Sequence, residues 1–284
     1  MLGKLLKYDL KSSFKVWWIL ALAFFGMSIL SGIGGFVYAL DLKEAFGMNF
    51  QIPNMIKVMG YLAWVLYYAL QGLFLVGSSI IIFIRFYRNF FTDEGYLTFT
   101  LPVKRTTLLN SKIINGMLVM GATELVSIVG ASIWSIPHEI SRRISGYYDE
   151  TVTINPTYEA GWIDFLQIAI LFMEMVALNF FIIYIHNLFI YWCGTFAATI
   201  TKKARVVTSV GIYYVASNVV GFLLEIILCF GIASVGNWLA DFSETGMVWM
   251  IILLLLCLIL ICWIISILLY VFEYWMLDKK LNMA

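Results

Sequence analysis

The stretch "MVWMIILLLLCLILICWIISILLYVFEYW", residues 247–275, indicates the class of fold. It exceeds the ~20 mostly apolar residues that an α-helix needs to cross a bilayer, and Glu273 is its only charged residue. The whole chain has this character, since 62% of its 284 residues are hydrophobic and 12% are charged. Soluble domains are about 45–50% apolar and about 25% charged. The sequence therefore predicts an all-α integral membrane protein.

Outward from this stretch, five more apolar segments are long enough to span a membrane. We expect a single transmembrane domain over residues 1–284. Its six spans are predicted at about residues 16–40, 59–84, 113–136, 162–192, 206–232 and 247–275. The fifth run stays apolar to about residue 240, but glycines interrupt it. This pattern favours a re-entrant segment between spans five and six over one steeply tilted helix.

The basic residues predict the orientation of the spans. With a cytoplasmic N-terminus, only four of the 18 Lys and Arg residues fall on the outer side, namely Lys43, Lys57, Arg142 and Arg143. Lys and Arg concentrate in cytoplasmic loops. Both termini and residues 85–112 are therefore expected in the cytoplasm, and the loop 137–161 is expected outside.

The first residues of the chain have two faces. Leu2, Leu6 and Leu10 share one helical face, and four lysines lie on another. This arrangement predicts an amphipathic interfacial helix over residues 1–15, although a plain basic flank to the first span is the alternative. Trp17, near a predicted span end, is expected in the interfacial aromatic belt.

The chain lacks the common catalytic motifs. It has no GxxxxGK[ST], HExxH or GxSxG sequence, and its four cysteines lie in or beside apolar runs without a CxxC pair. We therefore expect no enzyme activity, no metal site and no cofactor bound by this chain. The net charge of +1 neither favours nor excludes a nucleic acid, and we expect no nucleic-acid partner.

Four acidic residues lie in or near the spans. An ionisable group in lipid is costly and usually faces a bundle interior or water. Glu124, Glu174 and Glu225 are candidates for lining a substrate path, and hydrogen bonding between helices is the alternative for the first two. Glu273 is near the inner end of its span, where we expect it to extend its carboxylate to the surface.

The third span is rich in small residues. Gly116, Gly121 and Gly130 would each let this helix approach a neighbour closely. The sequence therefore predicts a tightly packed bundle or dimer.

The most polar long stretch is "FYRNFFTDEGYLTFTLPVKRTTLLNSK", residues 86–112. Asp93, Glu94 and Gly95 suggest an acidic turn, aromatic and hydroxyl side chains alternate after it, and Pro102 occupies a favoured place at a helix start. A plain loop is the simple interpretation. An acidic turn, an alternating strip and a basic helix start together favour a surface shaped for another protein.

With these residues in view, the chain resembles bacterial ABC-2-type transporter permeases. The likeness rests on "RNFFTDEGYLTFTLPVKRTTLLNSK" between spans two and three, and on the layout of an amphipathic N-terminal helix, six spans and two inner loops. The longer, charged outer loop 137–161 departs from the simplest members. The resemblance implies a multi-pass protein of the bacterial plasma membrane. Residues 85–112 are called the coupling segment from here on.

The resemblance also implies partners. ATP and magnesium would bind to separate ABC ATPase subunits docked beneath this chain, which would pair with a second permease chain as a homodimer or heterodimer among membrane lipids. The main coupling helix would fall at about residues 88–101, and the second contact at residues 202–205. The residues expected to contact the ATPases are Arg88, Asp93, Glu94, Tyr96, Phe99, Lys104, Arg105, Lys202, Lys203 and Arg205.

The expected function is export of an amphipathic or hydrophobic substrate, such as a peptide, a drug or a lipid-like molecule. Two alternatives remain open. One is a proton-coupled secondary transporter that uses the intramembrane glutamates, although the internal repeat typical of that class is not evident. The other is a membrane protein that binds partners, such as an immunity protein, without transporting anything.

Overall fold

Every element in the described part of the computed structural model is an α-helix. The structure describes residues 2–39, 54–91, 103–144, 162–200, 207–220, 222 and 244–279. Its helices are α1 (Leu2–Ala39), α2 (Asn54–Phe91), α3 (Arg105–Ile144), α4 (Trp162–Ile200), α5 (Val207–Val220) and α6 (Glu244–Lys279). No β-strand occurs among these residues.

All helices except α5 are long and apolar enough to cross a membrane. The described part of the chain is thus all-α, as predicted, and its long apolar helices fit a multi-pass membrane protein. Of the predicted fifth span, the structure describes α5 and Phe222. The rest of that span and the predicted re-entrant segment lie outside the described residues, as does the outer loop beyond Ile144.

The five long helices extend beyond the predicted spans at one or both ends, and α1 and α3 show the most informative differences. No helix break separates residues 1–15 from the first span, because α1 is continuous from Leu2 to Ala39. α3 does not end before Pro137 but continues through it to Ile144. Proline cannot donate to the carbonyl four residues earlier, here that of Ile133. Membrane helices tolerate such an interruption when a neighbouring helix covers the freed group.

One compact unit comprises residues 7–82 and 118–158. A column of aromatic rings forms its core, with Phe24 stacked on Phe74 at 5.0 Å and Tyr67 stacked on Trp134 at 5.8 Å between ring centroids. Trp17 is buried beside Phe74 rather than exposed in an interfacial belt.

A short polar network crosses this aromatic core. The Trp17 indole N–H donates to Thr123 Oγ1 at 2.9 Å, and the Thr123 hydroxyl lies 2.8 Å from the Val119 carbonyl oxygen and 3.0 Å from Ser78 Oγ. The Ser78 hydroxyl donates to the Phe74 carbonyl at 2.8 Å. Buried polar groups in lipid need such partners, so the network fixes the register of three helices.

The other unit comprises residues 1–6, 83–117 and 159–284. Within it α4 and α6 run in the same direction, because Thr195 contacts Glu273, Trp192 packs near Phe272, and Phe180, earlier in α4, shares a cavity with Trp263. This direction is the one expected of two even-numbered spans.

The beginning of α3 runs antiparallel to the end of α6. Arg105 contacts Asp278, and Asn110 accepts a hydrogen bond from Tyr270 at 3.0 Å. The start of α3 and the end of α6 therefore lie at one end of this unit.

Candidate functional site

Among the described residues, the most deeply buried carboxyl group is that of Glu273 on α6, which is 0% exposed. The Thr195 hydroxyl on α4 lies 3.1 Å from Glu273 Oε2 and also 3.0 Å from the Trp192 carbonyl oxygen. Glu273 Oε1 has no hydrogen-bond partner among the described residues. The expectation that Glu273 reaches the surface is therefore wrong, because its helix turns this position toward α4.

Glu174 is the second buried acid of this unit. Its side chain is 6% exposed, and neither carboxylate oxygen has a hydrogen-bond partner among the described residues. Hydrogen bonding between helices was the alternative to a path-lining role for Glu174. The described contacts give no support to that alternative, because they include no hydrogen bond to its carboxyl group. Glu124 is half-buried in the other unit, and Glu225 lies outside the described residues.

The contact between α3 and α4 depends on a glycine. A side-chain carbon on Gly116 would lie 2.4 Å from Asn187 Oδ1 and 2.7 Å from the Tyr191 hydroxyl oxygen. The same Tyr191 hydroxyl donates to the Lys112 carbonyl at 2.8 Å. The predicted close packing is thus confirmed at Gly116.

The outcome differs at the other two glycines of α3. A side-chain carbon on Gly130 would lie 2.7 Å from Phe24 and from Ser28 Oγ on α1, so close packing is confirmed there too. No atom lies within 4 Å of a side-chain carbon added at Gly121, so the packing predicted there is not found within this chain. Helical spacing alone does not distinguish a glycine at a contact from one beside it.

The described beginning of the coupling segment packs against the unit that contains α4. Phe86, near the end of α2, stacks on Tyr191 of α4 at 4.3 Å between ring centroids and lies 4.9 Å from Phe90. Both phenylalanine side chains are buried, whereas Arg88, a predicted docking residue, is exposed on the same turn. The last turns of α2 therefore hold one face in the unit and present the other outward.

At the far end of the coupling segment, α3 begins at Arg105. The Lys104 carbonyl accepts the Thr107 and Leu108 N–H groups at 2.9 and 3.2 Å, which forms the first turn. The Lys104 side chain is exposed. Arg105 instead directs its guanidinium to Asp278, with Nη1 2.8 Å from Oδ1 and 3.1 Å from the Asp278 carbonyl oxygen.

The other predicted docking residues lie outside the described residues. They are Asp93, Glu94, Tyr96, Phe99, Lys202, Lys203 and Arg205. Their role stays a prediction.

The polar face that α6 turns toward α3 and α4 was not predicted from the sequence. Ser266, Tyr270 and Glu273 follow one another at spacings of four and three residues, which places them along one face of a helix. Residues 247–275 are 29 mostly apolar positions, and within them this spacing was the sequence signal that could have indicated the polar face. Asn187, fully buried on α4, was missed because it is an isolated polar residue.

The described helices have a mainly apolar interior that contains isolated buried polar groups, such as Glu174 and Glu273. No group of three or more His, Cys, Asp or Glu side chains within the described part could hold a metal ion.

No protein-family model, curated protein or solved structure matches this chain.

Proposed function

We propose that this chain is the transmembrane permease subunit of an ATP-binding cassette exporter. In this proposal, separate ATPase subunits dock on its cytoplasmic loops, and a second permease chain completes the transporter. ATP and magnesium bind to the ATPase subunits. The bilayer is the plasma membrane of a bacterium, with both termini in the cytoplasm.

The observation that carries the proposal is the two-signed sequence of the coupling segment between two anchored helix ends. At one end, Phe86 and Phe90 are buried in the unit that contains α4. At the other, Leu108 and Leu109 are buried, and Arg105 pairs with Asp278. A force applied to a loop is transmitted to a bundle only if both of its bases are held, so this arrangement supports a mechanical role for the loop.

The test is co-purification of the ATPase. Tagged protein is extracted from its own membranes in a mild detergent, and the proteins that accompany it are identified by mass spectrometry. We expect a P-loop ATPase with the wild type and its loss from the Asp93→Ala/Glu94→Ala variant.

The matched control is Asp149→Ala/Glu150→Ala, which removes an adjacent acidic pair from the predicted outer loop. This variant should retain the ATPase. Wild-type protein that brings no ATPase from any mild detergent would contradict the proposal.

A proton-coupled transporter is the second candidate, favoured by the burial of Glu174 and Glu273. Glu174→Gln separates the two candidates in sealed vesicles. Loss of uptake driven by a pH gradient without ATP supports the second candidate. Uptake that requires ATP and persists in Glu174→Gln supports the exporter.

We propose an amphipathic or hydrophobic cargo, such as a peptide, drug or lipid-like molecule. Many of the large side chains on the described helices are apolar, and the described charged residues within the spans are few. Reconstituted vesicles that export only small hydrophilic solutes would contradict this assignment.

A further inference from the structure

A cavity of about 440 Å³ lies in the unit that contains α4 and α6. Its volume falls in the range of about 300–1,000 Å³ that small-molecule sites occupy. Phe180 and Phe181 of α4 and Trp263 and Ile267 of α6 supply its apolar walls. No charged side chain is among the described residues that line it, so the cavity suits an uncharged portion of a ligand.

The cavity is apolar at one end and polar at the other. Tyr184 follows Phe180 by one helical turn, and Tyr270 follows Trp263 by two turns. At 1.5 Å per residue, these steps are about 6 Å and about 10 Å along parallel helices. The tyrosines are thus nearer the end of the unit where α3 begins and α6 ends. The phenyl and indole rings lie deeper in the span.

The polar end presents hydrogen-bond donors. The Tyr270 hydroxyl donates to Asn110 Oδ1 at 3.0 Å. This bond uses Asn110 Oδ1 and not the Asn110 amide N–H₂ group, and Tyr184 lines the same cavity. An unused donor in an apolar medium is costly. A ligand with an acceptor oxygen at this depth would satisfy both groups.

The surroundings of the cavity indicate where such a ligand comes from. Phe180, Trp263 and Ile267 are 54%, 52% and 44% exposed, on helices that are long and apolar enough to span the bilayer. In a membrane, exposed side chains on such helices contact acyl chains. A ligand therefore reaches the cavity from the bilayer rather than from the aqueous phase.

We propose that this cavity is a lipid site that holds one acyl chain of a membrane phospholipid. The chain lies against the rings of Phe180, Phe181 and Trp263, and its ester carbonyl oxygen accepts hydrogen bonds from Tyr184 and Asn110. The phospholipid belongs to the leaflet at the end where α3 begins. The site does not depend on the proposed exporter function.

Photolabelling tests the proposal directly. The full-length protein is placed in nanodiscs that contain a phosphatidylcholine with a diazirine midway along one acyl chain. After irradiation, the labelled residues are identified by peptide mass spectrometry. We expect labelling to concentrate on the cavity walls of α4 and α6, in excess of equally exposed positions on α1. Labelling that is uniform over all exposed apolar positions would overturn the site.

Two neighbouring residues provide a matched pair of variants. Ile267→Trp fills the cavity and should lower labelling of its walls at least threefold. Leu268→Trp makes the same change at an exposed position that does not line the cavity and should leave the labelling unchanged. Equal effects of the two variants would overturn the proposal. Size-exclusion chromatography establishes that both are folded.

A conservative variant tests the polar end without filling the cavity. Tyr184→Phe removes one donor, and a net hydrogen bond of about 0.5–1.5 kcal/mol corresponds to roughly two- to twelvefold faster exchange of the labelled lipid. Tyr214→Phe, at an exposed position on α5, is the control. If neither variant changes the exchange, the assigned carbonyl contact is wrong.

A second copy of this chain could occupy the cavity instead of a lipid. Ile267→Cys detects this arrangement. If two copies meet at this position, their introduced cysteines form a disulfide that is absent from the wild type. Such a disulfide together with unlabelled cavity walls would overturn the lipid site. Labelled walls without the disulfide support it.

Discussion

Arg105 at the start of α3 forms an ion pair with Asp278 near the end of α6, with Nη1 and Oδ1 2.8 Å apart. The pair joins residues that are 173 positions apart in the chain. The two side chains are 35% and 48% exposed, so the contribution to stability is that of a surface pair, about 0–1 kcal/mol. The position of the ion pair matters more than its contribution to stability, because the pair holds the start of α3, which follows the coupling segment, against α6.

Charge reversal separates this pairing from the predicted docking role of Arg105. We expect Arg105→Asp and Asp278→Arg each to lower the melting temperature by a few degrees at most, and the double variant to recover it. If Arg105 serves only the internal pair, the double variant also recovers ATPase co-purification. Recovered stability with lost co-purification would instead assign Arg105 to the ATPase contact.

The Thr195 hydroxyl is predicted to stabilise the bundle through Glu273. Thr195→Val keeps the side-chain shape and leaves the buried carboxyl group without the hydroxyl that contacts it, which costs about 1–3 kcal/mol. Thermal unfolding in detergent measures the loss. Thr199→Val is the control, because the exposed Thr199 hydroxyl makes the same kind of bond to a carbonyl three residues earlier without contacting a carboxyl group. Equal losses would contradict the assignment.

Gly116 is predicted to be the least replaceable residue of the α3–α4 contact. The methyl group of Gly116→Ala would meet Asn187 and Tyr191 at distances that force a shift. Overpacking of this kind costs about 1–3 kcal/mol. Gly121→Ala, in open space on the same helix, should be neutral or slightly stabilising. Unfolding of the two variants in one detergent gives the comparison, and similar stabilities would show that the contact is absent.

The interruption at Pro137 leads to a fourth prediction. A side-chain carbon on Gly32 of α1 would lie 2.7 Å from the carbonyl oxygen of Ile133, the group that Pro137 leaves without its helical donor. Gly32→Ala should therefore lower stability by about 1–3 kcal/mol through forced separation of the helices.

Gly26 gives the control for this substitution. It lies on the same helix with nothing within 4 Å of the added carbon, so Gly26→Ala should not destabilise the protein. Thermal unfolding of Pro137→Ala/Gly32→Ala adds a further check. Pro137→Ala restores the backbone N–H group that can donate to the Ile133 carbonyl. We expect it to recover only part of the stability lost in Gly32→Ala, because the close approach of the two backbones remains.

Sequence predicted the class of fold because length and hydrophobicity act over whole segments. α4 and α6 are apolar on nearly all sides, and no local contact is needed to recognise them. The continuation of α3 through Pro137 was not predicted, because a proline inside a helix leaves the carbonyl four residues earlier without its donor. Here α1 approaches that carbonyl at Gly32, and no sequence window includes both residues.

The interior contacts were less predictable for a related reason. Trp17 has the composition and place of an interfacial residue, but it donates to Thr123, 106 positions away, inside the helix bundle. Glu273 lies close enough to a helix end to reach water, yet the rotation of α6 directs it toward Thr195. The rotation of a mostly apolar helix is set largely by its neighbours, and the spacing of Ser266, Tyr270 and Glu273 was the local sign of it in α6.

The shared direction of α4 and α6 has an electrostatic consequence. Each helix carries a macrodipole equivalent to roughly half a negative elementary charge at its C-terminus, and parallel packing brings two such ends to the same side of their unit. Arg105 donates to the Asp278 carbonyl at one of them. Lys202 and Lys203 follow α4 in the sequence, and Lys280 follows α6. The cations that predict the orientation of the chain thus also follow the helix ends whose partial charge is negative.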